Sequence, residues 1–149
     1  SIVNSINEKP SISEDIDKDM ISSDDSYSFT KGFERMIQRI KDYFDKELIH
    51  PKEASKKIRA NYFDYIIDVR TKEEFDDGHI PNALLMDIRN PQEFMEAIDS
   101  LNNKNVYFVY CRSGARSAQA CQLIKQAGIK NCFNLLGGII EWKGQITKD

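Results

Sequence analysis

The chain has 149 residues, 30% of them charged and 40% hydrophobic, with a formal net charge of −3 at pH 7. That length suits one domain with its own core plus an extension, and the charge is uneven: residues 1–28 hold seven acids against Lys9 and Lys18, leaving 19 bases and 17 acids elsewhere. No basic stripe with interleaved aromatics points to nucleic acid, no apolar run reaches membrane-spanning length, and three cysteines without paired spacing fit neither a disulfide framework nor a zinc site.

Residues 1–30 are rich in Ser, Asp, Asn and Ile without periodicity, and read as an acidic flexible tail. In 31–47, Phe33, Met36, Ile37, Ile40, Tyr43 and Phe44 fall at helical spacing and predict an amphipathic helical extension. Its stripe is expected to be buried against the domain, with a second copy or a partner protein as the alternative. From residue 48 onward, strand-like and helix-like stretches alternate. His50-Pro51 reads as a helix start, with Pro at the first helical position. His50 belongs to no motif, so it is taken as a boundary residue rather than a catalytic base. Residues 65–69 form an apolar strand, and Thr71 with Glu74 is a capping-box match opening a short helix that stops at Gly78.

Residues 83–86 read as another strand, and Asn90-Pro91 opens a helix with Phe94, Ala97, Ile98 and Leu101 on its apolar face. The run 106–110 is a third strand; it leads through Cys111-Arg112-Ser113-Gly114-Ala115-Arg116 into a helix over 116–127, stopped by Gly128. A last strand, 132–135, and the turn Gly137-Gly138 precede a closing helix with Ile139, Ile140 and Trp142. Such alternation predicts an α/β domain over 48–149 with a mainly parallel sheet. Ligands bind such sheets beyond the carboxyl ends of the strands, where Cys111 falls.

A thiol on a small-residue turn between strand and helix is placed to become a thiolate. Backbone N–H groups of such a turn converge on the sulfur, and the positive end of the helix dipole adds to them. Arg112 and Arg116 supply two cations, and thiols in such settings ionise well below a free cysteine. Cys111 is therefore the expected nucleophile.

These residues carry a family resemblance. Ile67-Asp68-Val69-Arg70, then Glu74-Phe75, Gly78-His79-Ile80-Pro81 and Ala83 resemble the first signature of the rhodanese (thiosulfate sulfurtransferase) family. Residues 111–117 resemble its active-site loop, and Leu136-Gly137-Gly138 with Trp142 its closing motif. Asn82 stands where the family usually has Gly, at a turn position that tolerates Asn. The resemblance implies a rhodanese-like open, mainly parallel five-stranded sheet with helices on both faces. It also implies a persulfide mechanism on Cys111: a small sulfur donor such as thiosulfate loads the cysteine, and a thiophilic acceptor (cyanide, a thiol or a protein) unloads it. Residues Arg112, Ser113, Gly114, Ala115 and Arg116 would bind substrate, and no metal or organic cofactor is required.

The six-residue loop from Cys111 to Arg116 favours sulfur over the longer loops of related cysteine-dependent phosphatases and arsenate reductases. A non-catalytic or partner-dedicated module is the other alternative. Asp68, Arg70 and Glu74 are read as an ion-pair set joining strand to short helix. His79 is expected to fix a backbone carbonyl, and Cys121 and Cys132 to pack as small apolar groups. Cysteine usage suggests a reducing, cytoplasmic setting, although the sequence begins at Ser1 rather than Met. A processed N-terminus would admit a periplasmic or organellar one.

Overall fold

The computed structural model describes the backbone of residues 25–45 and 47–149, and the side chains of 28–40 and 47–149. Two compact units divide the chain, Ser1–Lys46 and Glu47–Asp149. In the first, helix α1 spans Asp25–Asp45. It starts inside the stretch expected to be a tail, so 25–30 are helical, a start that apolar periodicity does not register. Met36, Ile37 and Ile40 are half-buried. Phe33 departs from the stripe, being 51% exposed. The side chains of Tyr43 and Phe44, and residues 1–24 altogether, lie outside the described residues.

The second unit runs β1 (Leu48–Ile49), α2 (Pro51–Arg59), β2 (Tyr65–Asp68), α3 (Lys72–Asp77), β3 (Ala83–Leu85), α4 (Pro91–Asp99), β4 (Tyr107–Tyr110), α5 (Ala115–Gln126) and β5 (Cys132–Leu135). A single 3-10 turn over Ile139–Glu141 follows. The strands form one sheet in the order β1-β5-β4-β2-β3, and every pair is parallel. The chain winds from β2 outward to β3, returns to the central β4, then continues to β5 on the other side. Strand order thus reverses between β2 and β4, and the crevice beyond their carboxyl ends is the ligand position of this architecture.

Alternation along the strands builds two cores. Ile67, Tyr107, Val109 and Cys111 face α4 and α5, packing with Phe94, Ile98, Ala120, Cys121 and Ile124. Ile66, Phe108, Tyr110 and Leu135 face the other way, against Ala54 and Ile58 of α2 and Ile139 and Trp142 after β5. All four residues of β4 are buried, as a central strand covered on both faces requires. Each large apolar side chain so buried contributes roughly 1.5–3 kcal/mol. Asn82 has φ +69°, a left-handed conformation that Asn adopts more readily than other non-glycine residues.

The charged residues of the first signature separate into two pairs rather than one set. Asp68, fully buried, accepts from Arg70 Nη2 at 2.7 Å, and the same nitrogen donates to the Gly78 carbonyl at 2.7 Å. Glu74 instead reaches across the crevice: both its oxygens accept from the Arg116 guanidinium, at 2.8 and 2.9 Å. The capping box explains this. Thr71 Oγ1 accepts from the Glu74 N–H while the Glu74 side chain accepts from the Thr71 N–H, which fixes the carboxylate toward α5.

Arg116 holds the Glu74 carboxyl down to about 2 from an ordinary 4.5, with burial opposing and Thr71 assisting. Folded Glu74 binds its proton more weakly than unfolded, so the pair stabilises fully above pH 4.5 and its contribution is lost as pH falls toward 2. Glu74→Gln is expected to destabilise the domain by about 1.5–3 kcal/mol at neutral pH. Thermal melts against pH should also show a shallower acid limb for the variant. An unchanged limb would mean that the pair contributes nothing to folding.

Candidate active site

Cys111 follows the last residue of β4 and is 1% exposed. The loop turns at Gly114, whose φ of +110° is strained for any side-chain-bearing residue, and that turn aims the Gly114 N–H at the sulfur, 3.0 Å away. From the first turns of α5 the Ser117 hydroxyl reaches Cys111 Sγ at 3.3 Å. Burial opposes ionisation of Cys111 and is the largest single influence on it. Donation from the Ser117 hydroxyl and from the N–H groups of Ser117, Gly114 and Ser113 outweighs burial, so the thiol ionises below its ordinary value. The α5 dipole acts in the same sense.

Asn134 is a residue beside the sulfur that motif reading did not include, and Ser117, the last residue of the 111–117 motif, was given no role by it. Ser117 is fully buried and Asn134 is 3% exposed, and Ser117 Oγ lies 2.6 Å from Asn134 Oδ1. Asn134 Nδ2 donates to the Gly114 carbonyl at 3.4 Å. The signal for Asn134 was available only through strand register: it stands opposite Val109, and so on the face of the sheet that Cys111 continues. The Gly137-Gly138 turn supports the loop from behind. Ile139 N donates to the Cys111 carbonyl at 2.9 Å and Ile140 N to that of Arg112 at 3.2 Å. Gly138, at φ +68°, has no room for a Cβ, which would run into the Arg112 carbonyl.

The remaining loop residues divide by exposure. Arg112, Ser113 and Ala115 are exposed, whereas Arg116 is partly buried and bound to Glu74. Arg112 and Arg116 line a shallow cleft of about 620 Å³ together with Lys72 and Glu74 after β2 and Arg89 after β3. Arg116 still feels the Cys111 charge, although Glu74 dominates its surroundings. Asp68 and Arg70 lie under the crevice with Tyr110, whose hydroxyl accepts from Ile80 N at 3.0 Å. Burial, then the Asp68 carboxylate, pushes the Tyr110 phenol upward.

His79 has a structural position. Its Nδ1 is 2.8 Å from the Phe75 carbonyl and its Nε2 2.9 Å from the Asp149 main-chain oxygen, with the ring stacked on Phe75 at 3.7 Å. Cys121 and Cys132 are buried together, their sulfurs 3.2 Å apart. The Cys132 neighbour and burial raise the Cys121 thiol well above its ordinary value, which makes Cys121 a packing residue rather than a nucleophile.

Comparison with known proteins places this geometry. Among relatives, a protein named sulfurtransferase from Allochromatium vinosum is 42% identical over 77 residues, which is 52% of this chain and 69% of that protein. The adenylyltransferase and sulfurtransferase uba4 of Ogataea parapolymorpha is 33% identical over 82 residues, 55% of this chain but only 21% of that much longer protein. The crystal structure of a rhodanese-like domain protein from Staphylococcus aureus matches with a TM-score of 0.58 at 30% identity, covering 66% of this chain and 93% of that one. The model of the rhodanese-like domain matches residues 50–145, a span that holds the whole sheet except β1 together with Cys111, Ser117 and Asn134, and the chain belongs to the rhodanese-like domain family.

Proposed function

We propose that the domain is a sulfurtransferase that carries a sulfane sulfur on Cys111 from an anionic donor such as thiosulfate to a thiophilic acceptor. One observation carries the reading: a buried sulfur receives the Gly114 N–H and the Ser117 hydroxyl at the switch-point crevice. These donors stabilise an anion of one atom's size. At the cleft, with Lys72 paired to Asp76 and Arg116 to Glu74, Arg112 and Arg89 outnumber Glu73, a balance that suits attraction of a dianionic donor. Arg116 has a double part, since its bidentate bond to Glu74 braces the loop while its charge remains within reach of the sulfur.

The chemistry is two displacements at sulfur. The Cys111 thiolate attacks the outer sulfur of thiosulfate; an S–S bond forms, and the bond to the sulfite sulfur breaks with its electron pair leaving on sulfite. Negative charge then resides on the terminal sulfur of the persulfide, to which the loop N–H groups can donate. Cyanide or a thiolate attacks that terminal sulfur, the S–S bond breaks, and the electron pair returns to Cys111. With cyanide the product is thiocyanate.

A protein acceptor is the second reading, supported by the name of a Bacillus subtilis relative, putative sulfur carrier protein YrkF, which is 31% identical over 80 residues. Both readings require Cys111 to hold sulfur; a non-catalytic module does not. Intact-mass measurement after thiosulfate treatment should find one added sulfur atom, mapped to Cys111. Cys111→Ser should lose the adduct and the thiosulfate:cyanide activity while keeping the fold, and Cys121→Ser and Cys132→Ser should keep most of both. Activity surviving in Cys111→Ser would sink the mechanism. The phosphatase alternative predicts aryl phosphate hydrolysis without sulfur uptake, and that outcome would replace the sulfur reading.

A further inference from the structure

Ser117 has one hydroxyl proton and three acceptors around it. Asn134 Oδ1 is at 2.6 Å, the Gly114 carbonyl at 3.1 Å and Cys111 Sγ at 3.3 Å. The Gly114 carbonyl already accepts from Ala118 N at 3.0 Å, and Asn134 Nδ2 approaches it as well. Asn134 Oδ1 and Cys111 Sγ are thus the two acceptors with a claim on the proton. With Nδ2 directed to the Gly114 carbonyl, Asn134 presents Oδ1 to the Ser117 hydroxyl. Both residues sit on one seam between α5 and β5. Ser117 and Cys121 are one helical turn apart, and Asn134 and Cys132 are two residues apart on one strand face, so the pairs make successive rungs.

We infer that Asn134 is a positioning residue that competes with Cys111 for the Ser117 proton and so sets how readily Cys111 ionises and reacts. The inference rests on the reading of Cys111 as the nucleophile. While Cys111 is a thiolate, its full charge draws the Ser117 hydroxyl. When Sγ bonds to a second sulfur, the charge moves outward and Sγ becomes a poor acceptor. Asn134 Oδ1 then receives the proton by a short hydroxyl rotation, and no buried donor is left without a partner. Asn134 thereby favours the sulfur-loaded state over the bare thiolate.

The other groups around the sulfur do not offer this exchange. On α5, Arg116 is tied to Glu74 of α3, and both are charged at neutral pH. Cys121 stays protonated, with Cys132 of β5 against it. The loop contributes Arg112, at the cleft, and N–H groups without alternative protonation states.

The test uses the full chain and reads iodoacetamide alkylation against pH, mapped to Cys111 by peptide mass spectrometry, beside the rate of sulfur uptake from thiosulfate. Asn134→Leu keeps the shape and removes the competing acceptor. Its alkylation midpoint should fall by up to about one pH unit, and the less basic sulfur should load about threefold more slowly on the alkaline plateau. Asn134→Asp keeps the shape with a stronger acceptor and should raise the midpoint. Ser117→Ala should also raise it, and in that background Asn134→Leu should have no further effect. A merely structural role would not move the midpoint in opposite directions for two isosteric changes. A midpoint unchanged or raised in folded Asn134→Leu overturns the inference, as does the same fall in the Ser117→Ala background. If the leucine variant fails to fold, a midpoint at or below wild type in Asn134→Asp overturns it instead. Wild-type protein that takes up no sulfur would sink the sulfur-transfer reading alone, since alkylation still reads the Ser117–Asn134 competition.

Discussion

Burial and hydrogen bonding pull Cys111 in opposite directions, and the arrangement of the domain around it follows from that opposition. A thiol at 1% exposure should resist ionisation. It ionises below its ordinary value because donors from a glycine turn and a buried serine reach the sulfur together. Their positions depend on three elements at once. Strand β4 delivers the cysteine, α5 delivers Ser117, and the turn after β5 holds the loop backbone through Ile139 and Ile140. Gly138 permits that approach because it has no side chain to meet the Arg112 carbonyl.

Arg112 and Arg116 differ in their attachments. Arg116 is anchored by Glu74, so the crevice is closed on one side by an ion pair that joins α3 to α5. Arg112 is exposed at the cleft, where an incoming anion would meet it first. Net attraction at the cleft therefore depends on Arg112 and its neighbours more than on Arg116. Asp68 and Arg70 link the end of β2 to the Gly78 carbonyl.

Sequence reading located four of the five strands and put Cys111 directly after β4, because both depend on contiguous patterns; β1, only two residues long, carries no pattern of its own. Alternating burial, a capping box and the glycine-bearing loop are all local. What escaped it was set by pairing across distance. Glu74 and Arg116 are 42 residues apart, and only the turn of α3 relative to α5 brings them together. Asn134 is placed by the β4–β5 register, which puts it opposite Val109 and beside Ser117. The first helix was located by its apolar stripe, yet it begins at Asp25, ahead of that stripe, and Phe33 is exposed. At Asn82 the departure from the usual glycine costs little, because the required φ of +69° lies in the region that Asn tolerates.

The central claim is that hydrogen bonds to a buried sulfur outweigh the loss of water around it. A titration of the protein with Cβ-labelled cysteine, followed by 13C NMR with Cys111→Ser for assignment, tests it without any reaction at sulfur. The account predicts that Cys111 ionises clearly below the free-thiol value of about 8.5, while Cys121 in the same core remains a thiol throughout that range. A Cys111 resonance that titrates at or above the free value, or together with Cys121, would contradict it.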